Sequence, residues 1–97
     1  MVNTEVMNKL DIYTVLVNIF EKRSKINFDE NCYLKNENLF ESKIMMPARE
    51  LVLTLYDIED YFSISIPEDV ILSGRFNSFN NIYDIVKNLR ILLILIN

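Results

Sequence analysis

Apolar residues in the first quarter of the chain recur at helical spacing: Leu10, Tyr13, Val17 and Phe20, with Leu16 on the same side. Glu21-Lys22-Arg23 closes the run in charge, and the pattern predicts a first helix over residues 7–20. Residues 24–46 then lose any period. They are polar and asparagine-rich, with isolated apolar positions at Ile26, Phe28, Tyr33, Leu34, Leu39, Phe40 and Ile44, and predict a long loop packed by single anchors. Loops of that length inside compact domains usually have a functional history. The helical period returns at Pro47, whose missing N–H and fixed φ suit a first helical turn. The second helix is expected to start there and to bury a stripe of Leu51, Val52, Leu55, Ile58 and Phe62, with Glu50, Asp57, Glu59 and Asp60 on other faces. Leu53 and Tyr56 fall outside that stripe and are the first places to look for a partner.

The segment Ser63-Ile64-Ser65-Ile66-Pro67 alternates like a very short strand. Pro67 with Glu68-Asp69 nevertheless predicts a connector followed by a short helix that ends by Gly74. Ser78 is placed to cap a last helix whose stripe is Phe79, Ile82, Ile85, Val86, Leu89 and onward. The chain closes in Arg90-Ile91-Leu92-Leu93-Ile94-Leu95-Ile96-Asn97, an apolar run far below the ~20 residues a bilayer span needs. Packing of this tail into the core is the plainer expectation. A homodimer contact or a partner site is the sharper one.

Composition narrows the chemistry. The 97 residues make one domain, 1–97, half of them hydrophobic (51%) and a quarter charged (25%), as in soluble globular proteins. One glycine and two prolines leave little of the turn chemistry that tight hairpins consume, which favours an all-α fold. There is no histidine and a single cysteine, Cys32, so Ser-His and Cys-His pairs and Cys/His zinc sites are absent, and enzyme activity is not expected. Cys32 is expected to be a small, half-buried apolar residue. A lone cysteine suits a reducing compartment, and Glu5 and Asp11 near the start argue against a signal peptide, so a cytoplasmic location is expected. The net charge is −4, and residues 51–97 hold Arg75, Lys87 and Arg90 against Asp57, Glu59, Asp60, Glu68, Asp69 and Asp84. That sign excludes a nucleic-acid surface. No membrane partner, metal-spaced cluster, phosphate loop or internal repeat is indicated. The plain interpretation of the acids is a solvated face.

The order of long helix, long loop, acidic second helix, Ile-Pro turn with short helix, and last helix resembles the acyl and peptidyl carrier protein family. Glu59-Asp60-Tyr61-Phe62-Ser63-Ile64-Ser65-Ile66-Pro67 looks like that family's acidic pair, phenylalanine and Ile-Pro closing helix two. Asn77-Ser78-Phe79, followed by Ile82, Tyr83 and Asp84, is similar to its Thr-Thr-Val start of the last helix, with a two-residue insertion around Ser73-Gly74. Phe40 and Ile44 stand where the family has the phenylalanine and leucine of Ser-Phe-x-x-Asp-Leu-Gly. The likeness covers roughly residues 7–90, and its motifs are individually weak but keep their order and near-constant spacing.

The resemblance implies an acyl-carrier-protein-like four-helix bundle, with three longer helices, one short helix and a long loop after helix one. Its Gly-x-Asp-Ser-Leu motif falls on Met45-Met46-Pro47-Ala48-Arg49, so the serine that carries 4'-phosphopantetheine in the family is Ala48. A methyl group has no oxygen to phosphorylate, and no cofactor is expected. The family presents helix two to basic patches on partner enzymes, which implies docking through Arg49, Leu53, Tyr56, Asp57, Glu59 and Asp60. The expected partner is a biosynthetic or modifying enzyme, or a precursor peptide; the chain looks most like carrier-related proteins found beside peptide-maturation, bacteriocin-type systems. Two alternatives stand beside this. One is a true carrier bearing phosphopantetheine, whose serine is Ser42 or has been replaced at position 48. Aligning Ser42 with the motif would place Pro47 inside a helix, at a cost of ~3 kcal/mol. The other is a structural homo-oligomer held by the C-terminal tail.

Overall fold

The chain's two prolines punctuate it in the same way. Pro47 (φ −63°, ψ 143°) and Pro67 (φ −60°, ψ 144°) are each the extended residue immediately before a helix, and each follows a buried apolar residue, Met46 and Ile66. The computed structural model describes residues 4–96, with side chains for 12–92 and 95, and is all-helical over that span. The helices are α1 (Thr4–Ser24), α2 (Ala48–Phe62), α3 (Glu68–Leu72) and α4 (Phe79–Ile96), with a single 3₁₀ turn at Cys32–Leu34. No strand forms at residues 63–67. The helical pattern predicts α1, α2 and α4, Pro67 with Glu68-Asp69 predicts α3, and α1 extends beyond its periodic segment at both ends. Pro47 lies one residue outside α2 instead of opening it: its carbonyl accepts from the N–H groups of Glu50 (2.9 Å) and Leu51 (3.2 Å) while its own ψ stays extended.

The core sits where α1, α2, α4 and the 25–46 connection meet. Leu16, Val17 and Phe20 of α1 are buried against Phe79, Ile82, Ile85 and Val86 of α4; Leu10 of the predicted stripe lies outside the described side chains. Phe28, from the connection, stacks on Phe79 at 5.0 Å and meets Phe20 edge-on at 5.5 Å, and Phe20 meets Phe79 at 5.4 Å. All three rings are fully buried. Such aromatic pairs contribute about 0.5–1.5 kcal/mol each beyond the area they remove from water.

The connection is more ordered than a loop of isolated anchors. Leu39 N–H donates to the Asn77 carbonyl (2.9 Å), Met46 N–H to the Leu39 carbonyl (2.7 Å), and Asn80 N–H to the Lys35 carbonyl (3.0 Å), which fastens it to the entry of α4. Phe28, Leu34 and Leu39 are buried as expected, and Met46 joins them; Tyr33 (73% exposed) and Phe40 (49%) do not. The reason is local. In a tight turn neighbouring side chains diverge, so Leu34 and Leu39 point inward and turn Tyr33 and Phe40 out. Cys32, in the same 3₁₀ turn, is exposed and not half-buried.

Two further expectations are corrected. On α2 the buried residues are Leu51, Thr54, Ile58 and Phe62, while Val52 is 46% exposed and Leu55 only partly covered. Val52 lies one residue, about 100°, round the helix from Leu51. Thr54 takes the inward position because its hydroxyl donates to the Glu50 carbonyl at 2.8 Å, leaving nothing unsatisfied on burial. On α4 the tail does not enter the core at Ile91, Leu92 or Leu95, which are exposed; Leu93, Ile94 and Ile96 lie outside the described side chains. α2 ends at Phe62, whose carbonyl accepts from Arg90 Nη1 at 3.2 Å. Ser78 caps α4 as predicted: its Oγ accepts from Asn81 N–H (3.2 Å) and its carbonyl from Ile82 N–H (3.0 Å).

The aromatic trio sets a stability test. Phe79→Ala and Phe28→Ala are each expected to cost about 3–5 kcal/mol in urea unfolding followed by far-UV circular dichroism, a large share of the ~5–15 kcal/mol of an ordinary domain. Phe40→Ala, at an exposed ring, should stay within about 0.5 kcal/mol. Equal effects at positions 28 and 40 would contradict this packing.

Candidate functional site

The N-terminal end of α2 is approached through Met45, an exposed residue in the left-handed region (φ 54°), then buried Met46 and extended Pro47. Ala48 is the first helical residue, and it is exposed. A side chain at that position faces solvent at a helix start, yet here it is a methyl group. Ser42 stands six residues earlier, exposed in the turn that Ile44 and Met45 close by donating to the Glu41 carbonyl (2.9 and 2.7 Å). Its hydroxyl is outside any helix.

Beyond Ala48, α2 turns one face away from the core. Arg49, Val52, Tyr56 and Asp60 are exposed along it, and Leu53 is half-buried beside them. Hydrophobicity alone places Val52 in the core; its i, i+4 relation to Tyr56 is the signal that it belongs outside. The result is a short apolar strip with a cation at its start and an anion near its end.

The other two acids assigned to docking are engaged inside the protein. Asp57 accepts from Arg23 Nε at 2.9 Å and Nη2 at 3.3 Å, with Lys22 Nζ at 3.5 Å, so it joins α2 to the last turn of α1. Glu50 adds a longer contact to the same guanidinium, 3.8 Å. The hydrogen bonds from Arg23, reinforced by its charge and that of Lys22, hold the Asp57 carboxyl below its ordinary value against the opposing effect of burial. Glu59 Oε2 accepts the N–H of Ile66 at 2.8 Å. It thereby secures the link between α2 and α3, one residue before Pro67, which has no N–H to offer. Arg49, Leu53, Tyr56 and Asp60 are thus brought to one surface, whereas Asp57 and Glu59 hold helices together.

A second polar group links α1 to the 25–46 connection. Tyr13 Oη donates to Asp29 Oδ1 at 2.7 Å, and Lys35 Nζ sits 4.6 Å from the Tyr13 ring centre. The Cys32 thiol donates to the Asp29 carbonyl at 3.2 Å. Burial first, and the Asp29 carboxylate after it, raise the Tyr13 phenol; the hydrogen bond to Tyr13 raises Lys35. These contacts pin the connection to α1.

Among the described residues no cluster of three or more metal-ligating side chains occurs, and no helix is long and apolar enough to cross a membrane. The outer face of α2 offers exposed contact area and two charges. No protein-family model, no curated protein and no solved structure matches the chain.

The division of labour among the acids can be measured. Asp57 has a folded pKa below its unfolded one, so its stabilisation is present above the unfolded value of about 4 and is lost as pH falls through the folded value. Asp57→Asn should therefore lower the urea midpoint at pH 7, and the gap to the parent should shrink progressively below about pH 4. Asp60→Asn, which removes an exposed anion from the last turn of α2, should not lower the midpoint at pH 7. Equal responses from the two variants would place Asp57 back among the solvated acids.

Proposed function

We propose that the protein is a carrier-protein-like, non-catalytic docking module. It carries no phosphopantetheine arm and binds a biosynthetic or peptide-maturation enzyme, or a precursor peptide, in the cytoplasm through the outer face of α2. One observation carries the proposal: the first residue of α2 is an exposed alanine at the position where the carrier family it resembles has its attachment serine, and the helix face beyond it is uncovered. The order of elements supports the same reading. A 21-residue helix, a long connection, a 15-residue helix, a five-residue helix and a last helix follow one another as in the expected bundle. Arg49, Leu53, Tyr56 and Asp60 form the docking strip, and Val52 belongs with them. Exposure of Ile91, Leu92 and Leu95 favours a second reading, in which the α4 tail makes a contact between copies.

Mass spectrometry after incubation with coenzyme A and a broad-specificity phosphopantetheinyl transferase is expected to show no change. A stoichiometric gain of ~340 Da would overturn the proposal, with Ser42 the first residue to map. Binding to purified products of neighbouring genes is expected to weaken about tenfold in Tyr56→Ala, an exposed aromatic at the centre of the strip, and to fall in Arg49→Glu. Full binding by both variants would remove α2 as the docking surface.

A further inference from the structure

The strip on α2 has a symmetry that names an occupant. Arg49 and Asp60 are eleven residues apart, close to three helical turns, and both are exposed. Neither enters an ion pair among the described residues. Midway between them, at the level of Thr54 and Leu55, a two-fold axis perpendicular to the helix would bring Arg49 opposite the partner's Asp60. The same axis sets Leu53 opposite the partner's Tyr56. One operation therefore satisfies the charged ends and the apolar centre together, as an isologous interface requires.

The two charges are also badly placed for their own helix and well placed for an antiparallel neighbour. A helix carries partial positive charge at its N-terminus and negative charge at its C-terminus. Arg49 is a cation in the first turn of α2, and Asp60 is an anion in its last turn. Against an antiparallel copy, Arg49 meets the C-terminal end of the partner helix and Asp60 meets its N-terminal end. A parallel copy would set Arg49 against arginine and Asp60 against aspartate. Asp57 and Glu59, the remaining acids near the strip, are already taken up by Arg23 and by the Ile66 N–H.

We infer that the outer face of α2 closes on a second copy of this chain in an antiparallel pair, with reciprocal Arg49–Asp60 contacts flanking a Leu53–Tyr56 centre. This rests on the reading of that face as a docking surface and adds that, unoccupied by another protein, it pairs with itself. One face of a 15-residue helix offers less than the ~800 Å² per partner of a standard stable interface. The pair is therefore weak and opens on dilution, leaving the strip free at low concentration. Each chain carries a net charge of −4, so the reciprocal contacts also offset the repulsion between copies.

Charge reversal tests the pairing. In sedimentation equilibrium over a dilution series, the full chain should show a monomer–dimer equilibrium. Arg49→Glu and Asp60→Arg should each raise the dimer dissociation constant about tenfold or more, because each creates two like-charged contacts per dimer. The double variant R49E/D60R should return to within about threefold of the parent. All substituted positions are exposed, and circular dichroism checks that the fold is kept. A monomer throughout the series, or a double variant as weak as the singles, overturns the inference. Association that ignores these changes but is lost in Leu95→Lys overturns it in favour of the α4 tail. The double variant also separates the two readings of the face: it restores self-pairing, yet presents reversed polarity to any other protein. Its failure to dimerise would leave the binding measured for gene-neighbour proteins untouched.

Discussion

The packing of Phe28 against Phe20 and Phe79 is the contact on which the rest of the bundle depends. It joins the long connection to α1 and α4 at one fully buried point, so a segment without helical period is anchored to both helices. Backbone bonds from Leu39 to Asn77 and from Asn80 to Lys35 then extend that junction along the entry of α4. Because the connection is fixed at both ends, Met46 is buried and Pro47 is delivered at the angle from which α2 starts. The position of Ala48, and of the face that follows it, is a consequence of an aromatic contact twenty residues upstream.

α2 divides its polar groups between two tasks. On the side turned to α1, Asp57 and Glu50 engage Arg23, and near the C-terminal end Glu59 captures the Ile66 amide. These contacts set the register of the helix against α1 and the course of the chain into α3. The side turned away keeps Arg49 and Asp60, with Val52 and Tyr56 between them. A charge that is already hydrogen-bonded within a protein costs desolvation and lost partners to redeploy, so the unengaged pair is the part of the helix free to recognise something else.

Much of the architecture was legible in the chain. The helical period marked α1, α2 and α4, Pro67 with its acidic followers marked α3, Pro47 marked the start of α2 to within a residue, and Ser78 announced the cap of α4. The phase of α2 was not legible, because a hydrophobicity pattern ranks Val52 above Thr54. It has no way to count the hydroxyl that Thr54 satisfies within its own helix. Nor did Asp57, Glu59 and Asp60 differ in kind as letters. What separates them is a guanidinium 34 positions away and an amide seven positions on.

The sequence by itself determined an all-helical chain, the places where α2, α3 and α4 begin, and the absence of a hydroxyl at the start of α2. Those follow from local causes: periodicity, the fixed φ of proline, a capping side chain and the chemistry of a single methyl. Only the tertiary structure decided which face of α2 turns inward, which acids are consumed by the fold, and that Ile91, Leu92 and Leu95 of α4 stay exposed. Those depend on groups distant in sequence, and their energies exist only once the aromatic junction has brought the elements together.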